Sequence, residues 1–384
     1  MEKRQIILIP GPTAVPSRVL RAMGAPAINH RGPEFRELIV EVTAGLKQVY
    51  QTANDVLILT ASGTGGMEAA VANFLSPGDK ALVVSIGSFG DRFVKICRAF
   101  GVEAEILAYE WGQAANPQDV ADRLAADTAH KIKAVLVQQN ETSTGVLNDI
   151  QAIAAARGDH PALLIVDAIS GLVAAELLTD AWGLDVVISG SQKAFMIPPG
   201  LAMVSVSPRA WEAAEKCTNS RYYFDLKEAK KFLEKGETPF TPAVSVLFGL
   251  RESLRMLADE GLAAAQERHA LYRDMVRSGV RALDLELLAD DAAASPAVTA
   301  VKVPAGLTPK DITGPLRERF GIVIAGGQGK LSDKIFRIGH LGYVQPTDIL
   351  ATFAALEMIL AERGLPVQSG QAVAAAEEVL AGGI

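Results

Sequence analysis

The chain has 384 residues, of which 49% are hydrophobic and 21% charged, and its formal net charge is −7 at pH 7. This length exceeds what one small core needs and favours about two domains. The acidic balance, with no stripe of clustered lysines and arginines, argues against a surface for nucleic acid or for an anionic membrane. We therefore expect neither of these as a partner.

The cysteines and the N-terminal residues bear on the compartment. Cys97 and Cys217 form neither a disulfide framework nor a metal-ligand spacing, so we expect no metal site and a reducing environment. The first apolar run ends at Pro10 after four residues, which is too short for the core of a signal peptide or for a membrane span. The cytoplasm is the default expectation.

A turn of small and hydroxylated residues follows the first predicted strand, Val56–Thr60. Ser62, Gly63 and Thr64 open a helix, and at such a position free backbone N–H groups and the helix dipole attract a phosphate. The alternative is that Ser62 or Thr64 only caps the helix. Ahead of this turn we expect a Pro/Gly-rich arm with a short helix at 17–23, and then a helix from Pro33 to Tyr50.

Strand and helix patterns then alternate, which predicts a largely parallel sheet covered on both sides. The predicted strands span 81–86, 102–107, 134–138, 163–167, 186–189 and 201–206, with helices at 91–100, 117–126 and 149–157. Ligands of such sheets bind at the carboxyl ends of the strands. Five side chains from separate loops lie just beyond those ends, namely Ser62, Phe89, Thr142, Asp167 and Lys193.

Lys193 lies between two apolar runs and is followed by Pro198-Pro199-Gly200, which cannot continue a helix. Burial disfavours an ammonium group and lowers its pKa, which suits a nucleophile that forms a Schiff base. The alternative is a lysine at an exposed loop tip. Asp167 ends another apolar strand, where a lone carboxylate is costly unless a cation accompanies it.

These features together fit one cofactor. A protonated pyridine nitrogen would supply the cation for Asp167, and Lys193 would bind the cofactor covalently. Gln192 and the turn Ser62-Gly63-Thr64 would hold its phosphate, and Phe89 would stack on its ring. Each residue alone has an ordinary structural explanation, and their joint order along the chain is the specific signal.

The C-terminal part predicts a smaller domain. A long helical run from about Val244 to Leu283 leads into it. Strands are predicted at 297–302, 322–325 and 334–338, with helices at 308–319 and 346–363. We expect a frayed helix in the Ala/Gly-rich residues 368–384.

This set of features resembles the class V aminotransferases of pyridoxal-phosphate (PLP) fold type I, over about residues 8–365, and most closely the alanine/serine–glyoxylate or –pyruvate aminotransferase group. The motifs that carry the resemblance are Pro10-Gly11-Pro12-Thr13, 62-SGTGGMEA-69, 140-NETSTG-145, 166-VDAIS-170, 189-SGSQK-193 and 336-FRIG-339. The implied fold is α/β, with a large domain built on a mostly parallel seven-stranded sheet and a smaller C-terminal α/β domain. The implied division is an N-terminal arm (1–25), a large PLP-binding domain (26–260), a small domain (261–365) and a tail (366–384).

The resemblance also implies residue roles. Lys193 is similar to the Schiff-base lysine, which also moves the substrate proton, and Asp167 to the partner of the pyridinium. Ile169 resembles the residue packed under the ring, and Thr142 the side chain near the ring hydroxyl. The phosphate is assigned to Ser62, Gly63, Thr64 and Gln192. Thr238 and Thr241 match positions that reach the phosphate of the neighbouring subunit, which implies a homodimer with shared active sites.

The substrate side is less closely defined. Arg337 resembles the arginine that binds the substrate α-carboxylate, for which a bidentate guanidinium is suited. The resemblance places Gly11, His30 and Arg31 on the same side, while a basic pair in an extended arm is otherwise typical of solvated charge. Phe89 stands where several relatives have tryptophan.

Four alternatives are weighed. A cysteine desulfurase needs a cysteine in a C-terminal loop, and both cysteines lie before residue 218. A nicotinamide dehydrogenase needs a third glycine where Glu68 stands. Relatives are also labelled as the small subunit of a soluble hydrogenase, but two isolated cysteines offer no cluster site for a non-catalytic redox subunit. Phosphoserine or aminoethylphosphonate transamination stays open as an alternative substrate class.

The sequence thus predicts a PLP-dependent transaminase. It would move an amino group from alanine or serine to glyoxylate or pyruvate by a ping-pong mechanism.

Overall fold

A computed structural model describes residues 5–383. Within them the strands are β1 Ile6–Leu8, β2 Asp55–Leu59, β3 Lys80–Ser85, β4 Glu103–Ala108, β5 Ile132–Gln138, β6 Asn140–Glu141, β7 Val146–Leu147, β8 Leu163–Asp167, β9 Val186–Gly190, β10 Ala202–Val206, β11 Val298–Lys302, β12 Ile322–Gly326 and β13 Ile335–Gly339. The helices are α1 Ser17–Met23, α2 Pro33–Tyr50, α3 Gly63–Phe74, α4 Ser88–Ala99, α5 Pro117–Ala126, α6 Ile150–Arg157, α7 Pro208–Lys216, α8 Leu226–Leu233, α9 Val244–Glu260, α10 Leu262–Ala282, α11 Pro309–Phe320, α12 Pro346–Glu362 and α13 Gln371–Gly382.

The larger sheet has seven strands in the order β2-β10-β9-β8-β5-β3-β4. Only β10 runs antiparallel to its neighbours, so the other six strands point the same way and their carboxyl ends share one edge. This confirms the predicted mostly parallel seven-stranded sheet of the α/β fold. It also brings the loops that follow β2, β3, β5, β8 and β9 to the same side of the molecule.

Apolar side chains bury both faces of this sheet. Along β8, Leu164 and Val166 join one hydrophobic cluster with α2 and α9, while Leu163 and Ile165 join another with α3 and α4. A strand buried on both faces reads as a continuous apolar run rather than an alternating one. The polar residue that ends this strand, Asp167, is therefore surrounded by core.

The smaller sheet has the order β1-β12-β13-β11. Strand β1, from the N-terminal arm, pairs in parallel with β12, and the other strands of this sheet are antiparallel. Its core includes residues of α10, α11, α12 and α13. The N-terminal arm thus completes the C-terminal sheet, and it passes Lys193 on the way.

Three local expectations are corrected. The helical run predicted from Val244 to Leu283 is two helices, because Gly261 adopts φ +87° between α9 and α10. The segment expected as a loop at 140–145 begins a two-strand hairpin, β6–β7. The C-terminal helix is packed rather than frayed, since α13 buries Ala372 and Ala376 against the small-domain core.

No helix in the described part of the chain has the length and apolar character needed to cross a bilayer.

Candidate active site

The turn between β2 and α3 is arranged for an anion. Ser62 is the N-cap of α3, and its side chain makes no capping hydrogen bond, so the capping alternative is wrong for this residue. Ser62 is exposed, whereas Gly63, the first residue of the helix, is buried and Thr64 is half-buried. A helix N-terminus whose cap side chain is uncommitted can donate to a phosphate.

Gly63, the first residue of α3, lies against the loop after β8. A Cβ at Gly63 would stand 2.5 Å from Cδ1 of Ile169. A Cβ at Gly190 would stand 3.5 Å from the Cα of Gly63, so these two residues lie side by side. The same Cβ would stand 3.2 Å from Oε1 of Gln192, a buried atom with no hydrogen-bond partner in the described structure. The loops after β2, β8 and β9 therefore meet at the predicted phosphate turn.

Lys193 is buried, with 9% of its surface exposed. Its Nζ donates a hydrogen bond to the carbonyl of Pro10. A Cβ at Gly11, which has φ +127°, would stand 2.6 Å from the same Nζ, so this position requires glycine. Burial lowers the pKa of Lys193 to about 8; the nearby Asp167 raises it, and the cations Arg337 and Arg92 lower it. The alternative of an exposed loop lysine is wrong.

Asp167 is the buried acid of the site, 4% exposed. Its Oδ1 accepts a hydrogen bond of 2.9 Å from the backbone N–H of Ile169. Burial raises the pKa of Asp167 to about 7, and the cations Arg92 and Lys193 oppose this effect. A carboxylate in this state gains from a nearby cationic N–H donor, which is what a pyridinium offers.

Glu141 positions the start of α4, which carries Phe89. Its Oε2 accepts hydrogen bonds from the N–H groups of Phe89 and Gly90 at 2.9 and 3.3 Å, at the first turn of α4. Its Oε1 accepts from the hydroxyl of Ser143 at 2.6 Å. Burial raises the pKa of Glu141, and these donors oppose that change. The carboxylate thus fixes the start of α4 relative to the hairpin β6–β7.

Arg337 connects the two sheets. It lies on β13, is 4% exposed, and its Nε donates to the carbonyl of Gly326 at 2.8 Å. Its Nη1 donates to the carbonyl of Thr142, in the hairpin β6–β7 that follows β5 of the large sheet, also at 2.8 Å. Burial lowers the pKa of Arg337 to about 10, which leaves it charged at neutral pH. These bonds hold the guanidinium while its Nη2 end is available to a carboxylate.

The remaining predicted residues lie along another surface. Arg31 donates through Nη1 to the carbonyl of Thr238 at 2.6 Å and to Oε2 of Glu237 at 3.1 Å. The ring of His30 lies edge-on to Phe35, with centroids 6.5 Å apart. Thr241, at the end of this segment, is exposed. Arg31 is thus hydrogen-bonded to the Thr238–Thr241 segment. The contacts described for His30 and Arg31 are not with Lys193.

Three residues with contacts at this site were not predicted from the sequence. Pro10 receives the hydrogen bond of Lys193, Glu141 holds the Phe89 loop, and Arg92 donates to Oγ1 of Thr64 at 3.0 Å. Phe89 and Arg92 are three residues apart near a predicted helix start. This spacing places two side chains on one face of a helix and could have indicated the contact of Arg92 at the site. Glu141 belongs to the motif 140-NETSTG-145, but the motif alone does not indicate what its carboxylate does.

The described residues fit PLP. They offer a helix N-terminus whose cap residue, Ser62, makes no capping bond, a buried carboxylate for a ring nitrogen, and a buried amine of lowered pKa. Among residues 5–383 no group of three or more His, Cys, Asp or Glu residues is placed to hold a metal ion.

Known proteins support this chemistry. The model of the family described as Aminotransferase class-V matches residues 10–336. The chain is 48% identical to the soluble hydrogenase 42 kDa subunit of Anabaena cylindrica, over 99% of each chain. It is 37% identical to the L-aspartate–glyoxylate aminotransferase of Paracoccus denitrificans and 36% identical to the serine–glyoxylate aminotransferase of Methylorubrum extorquens, in both cases over 98% of this chain and 96% of the relative.

The fold agrees with these relatives. The crystal structure of pyridoxamine–pyruvate aminotransferase from Mesorhizobium loti matches with a TM-score of 0.94 and 31% identity, covering 100% of this chain and 98% of that one. The chain therefore belongs to the class V aminotransferases, a family of PLP-dependent transaminases.

Proposed function

We propose that this enzyme transfers an amino group from a small L-amino acid, alanine or serine, to glyoxylate or pyruvate by a ping-pong mechanism. The observation that carries the proposal is the buried pair Lys193 and Asp167, which lies beside an uncommitted phosphate turn and near a buried arginine. PLP would supply the electron sink that acidifies the substrate Cα–H bond, and Lys193 would hold the cofactor covalently until the substrate amine replaces it.

Binding of that cofactor is assigned to the large domain. Ser62, Gly63, Thr64 and Gln192 would donate to the phosphate, and Asp167 would accept from the protonated ring nitrogen. Phe89 and Ile169 would pack on the ring and Thr142 near its hydroxyl. The contact between Gly63 and Ile169 supports this arrangement.

Lys193 would also carry the substrate proton in each half-reaction. A group that accepts and returns a proton works best when its pKa is near the working pH. Burial and the cations Arg337 and Arg92 bring the pKa of Lys193 to about 8, which supports this role. The carbonyl of Pro10 and the missing side chain at Gly11 would leave the amine free to move between cofactor and substrate.

Substrate binding is assigned to Arg337, which would bind the α-carboxylate through its free Nη2 end. Gly11 would shape the same side of the pocket. His30 and Arg31 would act there from the arm, and the bonds of Arg31 to residues 237–238 favour an indirect role for this arginine, through the Thr238–Thr241 segment. Binding small amino and oxo acids requires no further cation.

The enzyme would work as a homodimer, with Thr238 and Thr241 reaching the phosphate of the neighbouring subunit. Exposed aromatic rings beside this segment support an interface. Tyr222 is 81% exposed, and Tyr223 is 45% exposed and stacks on Phe240 with ring centroids 5.0 Å apart. We place the protein in the cytoplasm, because its two cysteines are free.

The test is a grid of donors and acceptors. The purified protein, loaded with PLP, is assayed with L-alanine, L-serine, L-aspartate or O-phospho-L-serine against glyoxylate or pyruvate. L-Aspartate and phosphoserine are included because one relative is named for the former and the latter is a competing substrate class. L-Alanine with glyoxylate, or L-serine with glyoxylate or pyruvate, should give the highest kcat/KM. A protein that binds the cofactor but transfers no amino group from any of these donors contradicts the proposal.

A further inference from the structure

Arg92 lies between two residues assigned to the cofactor. It belongs to the first turns of α4, and its Nη1 donates to Oγ1 of Thr64 at 3.0 Å. Its guanidinium also lies over the ring of Phe89, with Cζ 4.5 Å from the ring centroid. One half-buried side chain thus contacts both the phosphate turn and the stacking ring.

No carboxylate in the described residues lies within ion-pair distance of Arg92. This differs from other arginines of the chain: Arg319 pairs with Glu362, and Arg277 pairs with Asp291. A half-buried guanidinium whose described partners are a hydroxyl and an aromatic ring keeps most of its charge uncompensated. Because it lies beside the N-terminal end of α3, the group that would best compensate it is an anion bound at that turn.

The bond to Thr64 has a directional consequence. A hydroxyl carries one hydrogen, and when its oxygen accepts from Arg92 that hydrogen must point elsewhere. The oxygen is then polarised by a cation, which strengthens the bond that the hydroxyl donates. The contact with Phe89 occupies one face of the ring and leaves the other face for a planar partner.

We propose that Arg92 is a positioning residue of the cofactor site, which orients the Thr64 hydroxyl toward the cofactor phosphate and holds the Phe89 ring for stacking. This role rests on the proposed function, because it requires that the turn binds PLP. It assigns to Arg92 a selective effect on the phosphate-bearing form of the cofactor.

The electrostatics of the site agree with this placement. Arg92 lowers the pKa of Asp167 and that of Lys193, so its charge reaches both residues. Removing the charge should therefore raise the pH at which the absorbance of the bound cofactor titrates. A purely structural role would leave that pH unchanged.

The experiment is a double-mutant cycle with Arg92→Gln, Thr64→Val and the double variant. The dissociation constants for PLP and for pyridoxal, which lacks the phosphate, are measured by fluorescence titration. Arg92→Gln should weaken PLP binding about 10- to 100-fold and pyridoxal binding by a clearly smaller factor, because pyridoxal keeps the ring that stacks on Phe89 but lacks the phosphate. If Arg92 acts through Thr64, the double variant should be much less impaired than the product of the single effects.

Two further variants control for charge and folding. Arg92→Lys keeps the charge without the planar fork and should recover part of the lost affinity. Arg98→Gln, on the exposed side of the same helix, should bind PLP as the wild type does. An Arg92→Gln variant that binds PLP as tightly as the wild type overturns the proposal, as does an equal loss for pyridoxal or a fully multiplicative cycle. A wild-type protein that binds no PLP overturns the proposed function itself, and this role with it.

Discussion

The two halves of the candidate site are built in different ways. Asp167 and Lys193 lie at or just beyond the carboxyl ends of β8 and β9, which are neighbours in one sheet, so their separation follows from strand register. Arg337 lies on a strand of the other sheet and reaches the site through its bond to the carbonyl of Thr142. The half formed by Asp167 and Lys193 depends on the register of one sheet. The half formed by Arg337 depends on how the two sheets dock. Substitutions should therefore affect cofactor binding and substrate binding separately.

The largest effect is expected for Lys193→Ala. It removes both the covalent attachment and the proton carrier, so kcat/KM should fall by about 10⁴-fold or more. Steady-state assays with the best donor and acceptor measure this loss. The variant should still bind PLP through the phosphate turn and Asp167, although more weakly. Retention of a tenth of the wild-type activity would contradict the assignment.

Arg337→Ala should act mainly on the substrate half, although it also removes a cation that lowers the pKa of Lys193. Losing two charge-assisted hydrogen bonds to the α-carboxylate should lower kcat/KM for the amino donor by about 10²- to 10³-fold. The dissociation constant for PLP should change little. Arg337→Lys is the matched control: it keeps a charge but loses the fork that also bonds Gly326 and Thr142, so it should recover only part of the activity. A cofactor affinity that falls as far as kcat/KM would show that the halves are not separate.

Asp167 makes a pH-dependent prediction for the cofactor-free protein. Its pKa is raised to about 7 by burial, so the stability it contributes is present below about pH 4 and is lost as the pH rises through 7. Asp167→Asn does not titrate. Between pH 4 and 7 the wild type should therefore lose up to a few kcal/mol of unfolding free energy relative to the variant, at about 1.4 kcal/mol per pKa unit.

Urea denaturation at about pH 4.5 and about pH 7 measures that difference. These conditions lie between the pKa values of Asp167 in the unfolded and in the folded protein. Bound PLP should reverse it, because the ring nitrogen then stabilises the carboxylate. A stability difference between the two proteins that is the same at both pH values would show that Asp167 keeps an ordinary pKa.

The smallest effect is expected at the contact of the phosphate turn with the ring-packing residue. In Gly63→Ala the new Cβ would meet Ile169 at 2.5 Å, an overlap that shifts the turn and should weaken PLP binding by about tenfold. The second substitution Ile169→Ala removes Cδ1, Cγ1 and Cγ2, which would lie 2.5, 2.8 and 3.2 Å from that Cβ, and should restore part of the affinity. If the pair binds no better than Gly63→Ala alone, the loss comes from the helix N-terminus rather than from this contact.

The difference between the two halves of the site, one built on a single sheet and the other on contacts between distant segments, also explains which features the sequence could predict. The large sheet was predictable because its strands are apolar runs separated by helices, and because Asp167 and Lys193 break such runs with a charge. Their convergence then follows from a general rule for parallel sheets. The bounds of α2 and α5 agree with the prediction at both ends, since proline begins each helix.

Contacts between distant segments were not predictable from pattern. The hydrogen bond of Lys193 to Pro10 spans 183 positions, and that of Arg337 to Thr142 spans 195. In both bonds the acceptor is a backbone carbonyl. Every residue type has this group, so the sequence does not indicate which one is used. The break at Gly261 was overlooked because the apolar period continues across it, although the residue itself was a signal.

The most direct test combines cofactor titration with one half-reaction. Wild type and Arg337→Ala are titrated with PLP, followed by visible absorbance, and then mixed with L-serine in the absence of an acceptor. We predict one cofactor per chain and similar affinity in both proteins, with bleaching of the absorbance that is about 10²-fold slower in the variant. A wild type that stays colourless, or that binds PLP but never reacts with the donor, would contradict the account.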